Sequence, residues 1–173
     1  MSPRYLEVET PVGDLTIVAS SSGVVATLSE ADRAAGALEA LERAMQTRAR
    51  RASRELAPVR RELTAYFAGE LRAFTTPVDL SATGRGFVRR ALEAVRLIPY
   101  GEMRTYGDVA DAAGSPRGGR AAGGALRRCP VEILVPCHRV VSAGRALGGY
   151  GGDDDRKRFL LRLEGAIEGP TVG

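Results

Sequence analysis

The chain has 173 residues, 44% of them hydrophobic and 27% charged, with a net charge of +4. This is the composition of an ordinary globular protein, and the length suits one compact domain or two small lobes. No stretch approaches the roughly 18–20 apolar residues of a membrane span, and MSPRYLEVET lacks the apolar core of a signal peptide. A cytoplasmic protein with no membrane partner is expected.

Taken in chain order, YLEVET alternates, PVGD turns, LTIVAS alternates again, SSG turns and VVATLS follows, which predicts a three-stranded meander. From Glu30 to about Arg50 the pattern is helical, with Leu38, Leu41 and Met45 spaced three and four apart. A second helix is predicted from Ala57 to Phe67, with Gly69 as its stop. RAFTTPVDLSATGRG lacks periodicity and reads as a linker. Phe87, Ala91, Val95 and Ile98 then mark one face of a helix that Pro99 and Gly101 end. Thr105 suits the N-cap of a short helix, YGDVADAA, closed by Gly114. Ser115 as N-cap and Pro116 at the first position predict a further helix, PRGGRAAGGALRR, to about Arg128. Two short helices around a tight Gly-Ser turn outline a helix-turn-helix. VEILVP reads as a strand, RVVSAGRALGGYGG as a glycine-rich hairpin or loop. A last helix begins at 153–155 with Phe159, Leu160 and Leu163 on its core face.

The expected fold is α+β. Residues 1–80 form a lobe with a small antiparallel sheet and helices. Residues 81–173 form a mostly helical lobe with a winged-helix-like helix-turn-helix.

Charge is unevenly placed. Residues 1–85 carry 11 basic and 11 acidic side chains, whereas residues 86–173 carry 14 and 10. Between 104 and 145 seven arginines face only Asp108, Asp111 and Glu132. Such a band suits a polyanion such as nucleic acid, although a solvated surface in an arginine-rich proteome reads the same. Lys157 is the single lysine among the 25 basic residues. GGRAAGG, in the second helix of the pair, is nearly bare, and each interior glycine costs about 1 kcal/mol relative to alanine. Tight helix packing is one reason for a slim helix. The close approach of DNA is another, with Arg120 entering a groove and Arg117, Arg127 and Arg128 flanking it.

The chemistry concentrates in VPCHRV, where Cys137 precedes the chain's only histidine, His138. A thiol is a nucleophile as thiolate, and an adjacent imidazole can take its proton while a carboxylate holds the imidazole's tautomer. Candidate carboxylates are Glu164, Asp153, Asp154, Asp155 and Glu132. On a strand the two side chains would point apart, so a shared pocket requires a bend at Cys137. Cys129 and Cys137 are the only cysteines, which excludes a disulfide framework. With one histidine they fall short of a zinc ligand set. A cysteine hydrolase would need an oxyanion hole, for which the sequence offers no candidate.

IPYGEMRTYGDVADAAGSP, RAAGGALRRCPVEILVPCHRVV, GGYGG and RFLLRLEG together resemble the O6-alkylguanine-DNA alkyltransferases, over about residues 86–165. The resemblance implies direct, single-use repair. The protein would bind double-stranded DNA through the minor groove, as a monomer without cofactor or metal, and flip the damaged guanine into a pocket. Cys137 would take the alkyl group, with His138 as base through a bridging water and Glu164 orienting it. Tyr106 would crowd the 3′ phosphate and donate to the departing guanine, and Arg120 would fill the vacated stack. Thr105, Ser115, Ala121, Gly123 and Arg127 would join Tyr106 and Arg120 against DNA, while Val140, Tyr150 and Gly151 would line the base pocket. The chain departs from the family at Cys129, where asparagine is usual, at Arg128, often glycine, at the RGGR helix start, and at Leu92, where tryptophan is common. The asparagine bridges the recognition helix to the active-site turn, and a thiol is a weak substitute. The alternative is therefore a protein that binds alkylated bases with little or no transfer.

Overall fold

The alternating stretches at the N-terminus form three antiparallel strands, β1 (Arg4–Val8), β2 (Leu15–Ala19) and β3 (Val24–Leu28). The structure is a computed structural model that describes residues 2–169, the side chain of Arg145 excepted. The chain divides into two units, Met1–Ala82 and Thr83–Gly173. The outermost residues of the two expected domains, 1 and 170–173, lie outside the described residues.

In the first unit every residue of β2 is buried, consistent with its inner place in the sheet order β3-β2-β1-β4. The fourth strand, β4 (Arg50–Arg51), runs parallel to β1, so the sheet is mixed rather than purely antiparallel. Two exposed arginines carry no strand signal. Backbone pairing alone recruits them, through Arg50 N–H to Pro3 O at 3.0 Å and Ala52 N–H to Tyr5 O at 2.9 Å. The helical stretch after Ser29 is also shorter than its spacing suggests. It breaks into α1 (Glu30–Ala34), opened by a Ser29/Asp32 capping box, and α2 (Ala37–Ala44). Gly36, at φ +79°, makes the break. Leu38 packs on Val18 and Ala26 to close this core. The next helix, α3 (Ala57–Phe67), has the predicted bounds. The predicted linker is not loose: Val24 N–H donates to Pro77 O and accepts at its own carbonyl from Asp79 N–H, both at 2.8 Å, and Leu80 is buried. A Cβ on Gly23 would stand 2.6 Å from Pro77 O, so this contact requires glycine there.

The second unit holds α4 (Phe87–Arg96), α5 (Tyr106–Ala112), α6 (Gly119–Leu126) and α7 (Asp154–Leu163), with a short parallel pair, β5 (Arg104–Thr105) and β6 (Val140–Val141). Ala91, Leu92 and Val95 bury the inner face of α4, and Leu92 is fully enclosed. Arg90 Nε donates to Ala113 O at 2.9 Å, satisfying a carbonyl at the end of α5. Thr105 caps α5 as expected, in a capping box with Asp108.

Three local expectations are corrected. The helix after the tight turn starts at Gly119, not Pro116. Ser115 to Gly118 is a turn closed by Gly118 N–H to Ser115 O at 2.9 Å, and Arg117 at φ +66° interrupts any helix begun at Pro116. VEILVP is no strand. Ile133 at φ +73° and the bond from Val135 N–H to Val131 O at 3.0 Å fold it into a reversal whose apolar residues are all buried. The inner face of α7 is Lys157, Leu160, Leu161 and Glu164, while Phe159 and Leu163 are only partly buried. Two charged residues on the core side hid that face from a hydrophobic count. Among the described residues no helix is long and apolar enough to cross a membrane.

Candidate active site

The bend that a shared Cys-His pocket requires is present, and proline starts it. Pro136 has φ −80° and ψ 60°, and Cys137 N–H donates to Val135 O at 2.8 Å, an inverse γ-turn. Cys137–Arg139 then form a single 3-10 turn, closed by Arg139 N–H to Pro136 O at 2.9 Å, and all three side chains are buried. The chain leaves this turn directly into β6, where Val140 pairs with Arg104 and Val141 with Thr105. Thr105 is also the cap of α5, so this short ladder fixes Tyr106 at the head of α5 beside the Cys137 turn.

Glu164, the residue that ends α7, collects two polar side chains of the turn, those of His138 and Arg139. His138 Nε2 lies 2.7 Å from its Oε1, Arg139 Nε donates to Oε2 at 2.8 Å, and Arg139 Nη2 donates to Oε1 at 2.9 Å. Arg139 also donates through Nη1 to Ile98 O at 2.6 Å, tying the end of α4 to the same cluster. Burial opposes ionisation of Glu164, but the hydrogen bonds and charge on its His138 and Arg139 sides overcome it and hold the carboxyl down at about 2. Burial lowers the His138 imidazole, against the pull of Glu164. His138 is therefore neutral near pH 7. An ionised carboxylate only accepts, so the Nε2 proton must point to Glu164, which makes Nδ1 the basic nitrogen of the ring.

The thiol has its own neighbours. The influence of the Cys129 thiol, then burial, push the Cys137 thiol well above its ordinary value, and the charge of Lys157 pulls the other way. Lys157 is fully buried; Nζ donates to Val140 O at 2.6 Å and to Gly149 O at 3.3 Å, and sits 5.9 Å from the Tyr106 ring centre. Burial pushes this ammonium down to about 8, against Asp154 and Cys137, so it remains mostly charged at neutral pH. The Tyr106 hydroxyl donates to the same Gly149 carbonyl at 3.3 Å, and burial followed by the charge of Cys137 raise it, so the phenol keeps its proton. Tyr150 is buried, and its hydroxyl has no hydrogen-bond partner among the described residues. Burial and the charges of Glu132 and Cys137 push it well up.

The residues read from the sequence fall into two groups. Cys137, His138, Glu164, Tyr106, Val140 and Tyr150 meet around the turn. Gly151, at φ +60°, is exposed and follows Tyr150. Arg120, Ala121 and Arg127 lie exposed on or just after α6, while Thr105 and Ser115 are partly buried. Arg117, Arg120, Arg127 and Arg128 are all exposed and enter no ion pair among the described residues. The bare helix has two explanations at once. A Cβ on Gly123 would meet the Tyr106 ring at 3.8 Å and one on Gly119 would meet Gly107, whereas Gly124 opens onto empty space. Half of the slimness thus serves packing against α5. Among the described residues no group of three His, Cys, Asp or Glu side chains is placed to hold a metal ion.

Two residues of the cluster carried no assignment in the sequence. Arg139 looked like one more basic residue of the band, and nothing local betrays its burial. Lys157 did carry a signal: a chain that uses arginine at every other basic position keeps one lysine, and that residue is the buried cation next to the thiol. A compact ammonium fits where a guanidinium fork does not.

Residues 86–166 match the family described as 6-O-methylguanine DNA methyltransferase, DNA binding domain, and residues 4–80 match 6-O-methylguanine DNA methyltransferase, ribonuclease-like domain. The chain belongs to the 6-O-methylguanine DNA methyltransferase family. A methylated-DNA–protein-cysteine methyltransferase of Bacillus subtilis, the constitutive one, is 38% identical over 162 residues, covering 92% of this chain and 94% of that protein. The methylated-DNA–protein-cysteine methyltransferase of Mycobacterium tuberculosis is 50% identical over 103 residues, 60% of this chain. That stretch spans 61% of the mycobacterial protein, less than two thirds of its length. A crystal structure of Mycobacterium tuberculosis OGT in complex with DNA aligns with a TM-score of 0.77 and 36% identity, over 96% of this chain and 94% of that one. Within the family's DNA-binding domain match lie Cys137, His138, Glu164, Tyr106 and the whole of α5 and α6.

Proposed function

We propose that this protein repairs O6-alkylguanine in DNA by moving the alkyl group once, irreversibly, to the sulfur of Cys137. The observation that carries the proposal is the 2.7 Å bond between the buried His138 Nε2 and Glu164, one residue from the thiol. It leaves Nδ1 as the proton acceptor and supplies a carboxylate that stabilises the resulting imidazolium. At rest Cys137 is a thiol. Its proton passes to His138, through the bridging water that the family resemblance implies, as the sulfur attacks the alkyl carbon. The carbon–sulfur bond forms while the bond from that carbon to guanine O6 breaks. The released electron pair stays on the base, which the Tyr106 phenol neutralises by donating a proton or hydrogen bond. Lys157 favours the thiolate from the other side. No tetrahedral intermediate forms, so an oxyanion hole is unnecessary, and a thioether sulfur is a poor leaving group, so the protein acts once.

DNA is engaged through α5 and α6. The basic residues Arg117, Arg127 and Arg128 neutralise phosphates. Arg120 enters the minor groove and occupies the place of the flipped guanine, as intercalating side chains do in minor-groove binding. Thr105, Ser115, Ala121 and Gly123 contact the backbone beside it, and Val140, Tyr150 and Gly151 line the base pocket. The protein acts as a monomer without cofactor, and residues 1–80 and 81–173 are its two domains. Binding of alkylated bases without transfer is not favoured, because the named relatives are methyltransferases, and the contact of His138 with Glu164 beside Cys137 supports transfer. The test is stoichiometry. Increasing amounts of protein incubated with excess duplex DNA containing O6-methylguanine should remove one lesion per chain and then stop. Turnover beyond one, or tight binding with the lesion count unchanged, overturns the proposal.

A further inference from the structure

We propose that the first unit carries a DNA-phosphate contact of its own, made by Arg54, Arg60 and Arg61 at the junction of β4 and α3. The balance of 11 basic and 11 acidic side chains over residues 1–85 hides a strong segregation. Seven of those 11 basic residues, all arginines, fall between 43 and 61, with Glu55 as the one acidic residue among them. Like charges gathered in one segment repel one another, and a polyanion relieves that repulsion. The proposal rests on DNA being the partner and not on the transfer of an alkyl group.

The fold presents these three guanidinium groups unpaired. Leu56 N–H donates to Ala52 O at 3.0 Å and Arg60 N–H to Leu56 O at 3.2 Å, so helical bonding leads from the turn after β4 into α3. Val59, Leu63 and Tyr66 are the buried side of α3. Arg61 is therefore on the outer side, and Arg54 stands about two turns before it on the same line. Arg54, Arg60 and Arg61 are all exposed and enter no ion pair among the described residues. The carboxylates next to them in sequence are engaged elsewhere. Glu55 accepts from Arg50 Nη2 at 2.6 and 2.7 Å and from Arg4 Nη1 at 3.2 Å. Glu62 accepts from the backbone N–H groups of Thr75 and Thr76, at 2.9 and 3.0 Å, and from both threonine hydroxyls. The first turn of α3 holds no acidic side chain that could balance the arginines. Two helical turns rise about 10 Å, close to three base-pair steps of about 3.4 Å, so Arg54 and Arg61 can each reach a phosphate of one strand.

The salt dependence of binding tests this without reference to alkyl transfer, so failure of the contact and failure of the repair proposal are separate results. The full chain and a variant carrying Arg54→Gln, Arg60→Gln and Arg61→Gln are titrated onto undamaged, fluorescently labelled duplex DNA between about 50 and 200 mM salt. The slope of log affinity against log salt should become shallower by about 2–3, roughly 0.9 for each lost phosphate contact, with the far-UV circular dichroism spectrum as in the wild type. A control variant carrying Arg72→Gln and Arg85→Gln, exposed arginines outside the segment, should keep the wild-type slope. An unchanged slope in the triple variant, or an equal change per charge in the control, overturns the inference. So does an effect seen with single-stranded RNA or phosphatidylserine vesicles but not with duplex DNA. The single Arg61→Gln variant, with an expected change of about 0.9, decides the matter even where the triple variant does not fold.

Discussion

Replacing Glu164 with glutamine keeps the shape of the cluster's hub and removes its charge. In the wild type that carboxylate is fully buried and bonded to His138 and twice to Arg139, whose guanidinium is itself nearly buried. Breaking one side of a buried pair costs about 3–5 kcal/mol, because the other charge is left uncompensated. A second route gives a similar figure: lowering a carboxyl from an ordinary 4.5 to about 2 corresponds to about 3 kcal/mol of stability. A carboxyl whose pKa is lower in the folded state binds fewer protons there. Its stabilisation is therefore complete above about pH 4.5 and disappears as pH falls toward 2. Urea unfolding followed by far-UV circular dichroism, from pH 7 down to pH 3, checks this. At pH 7 the Glu164→Gln variant should be less stable by about 3 kcal/mol, and the gap should narrow steadily below about pH 4.5. A gap under about 0.5 kcal/mol at pH 7, or one that does not change with pH, refutes the reasoning.

Other expectations follow from the thiol's neighbours and from α6. Cys129→Asn replaces a neighbour that favours the thiol with an amide donor suited to the thiolate. Transfer from free O6-benzylguanine should speed up about 10-fold, the rate equivalent of about 1.4 kcal/mol; a slower variant contradicts this role of Cys129. Lys157→Met removes the buried cation, so transfer should slow about 10-fold and the rise of rate with pH should move to higher pH, which a rate profile from pH 6 to 10 reads. Arg120→Ala should slow repair in duplex DNA far more than reaction with free O6-benzylguanine, and equal losses on both substrates exclude an intercalating role.

How much of this was legible in the sequence depended on where each signal was stored. Period-two alternation placed β1, β2 and β3, and the apolar spacing of α3 and α4 was enough to find both helices. Local chemistry also worked at Thr105, whose capping box with Asp108 is a property of four consecutive residues. What failed was set by the fold at a distance. β4 exists because Pro3 and Tyr5 offer backbone partners to Arg50 and Ala52, and no arginine pair announces a strand. VEILVP is apolar because it is buried, and a short apolar run cannot distinguish a buried strand from a buried turn. The turn at Ser115 hinged on a left-handed Arg117, a conformation that residue type rarely signals. In the site, adjacency of Cys137 and His138 was visible but its meaning was not, because the γ-turn at Pro136 redirects both side chains. Glu164 was one of several candidate carboxylates, and only its place at the end of α7 selects it. Arg139 was hidden within a basic band of mostly exposed arginines, whereas Lys157 was visible as the chain's one lysine.

The central claim is that Cys137 accepts the alkyl group of the lesion. Peptide mass mapping after incubation with duplex DNA containing O6-methylguanine tests it most directly. The account predicts one added methyl, on the peptide carrying Cys137 and on its sulfur, with the DNA returned to guanine. An unmodified Cys137 peptide after the lesion has been bound, or a methyl on Cys129 in its place, contradicts it.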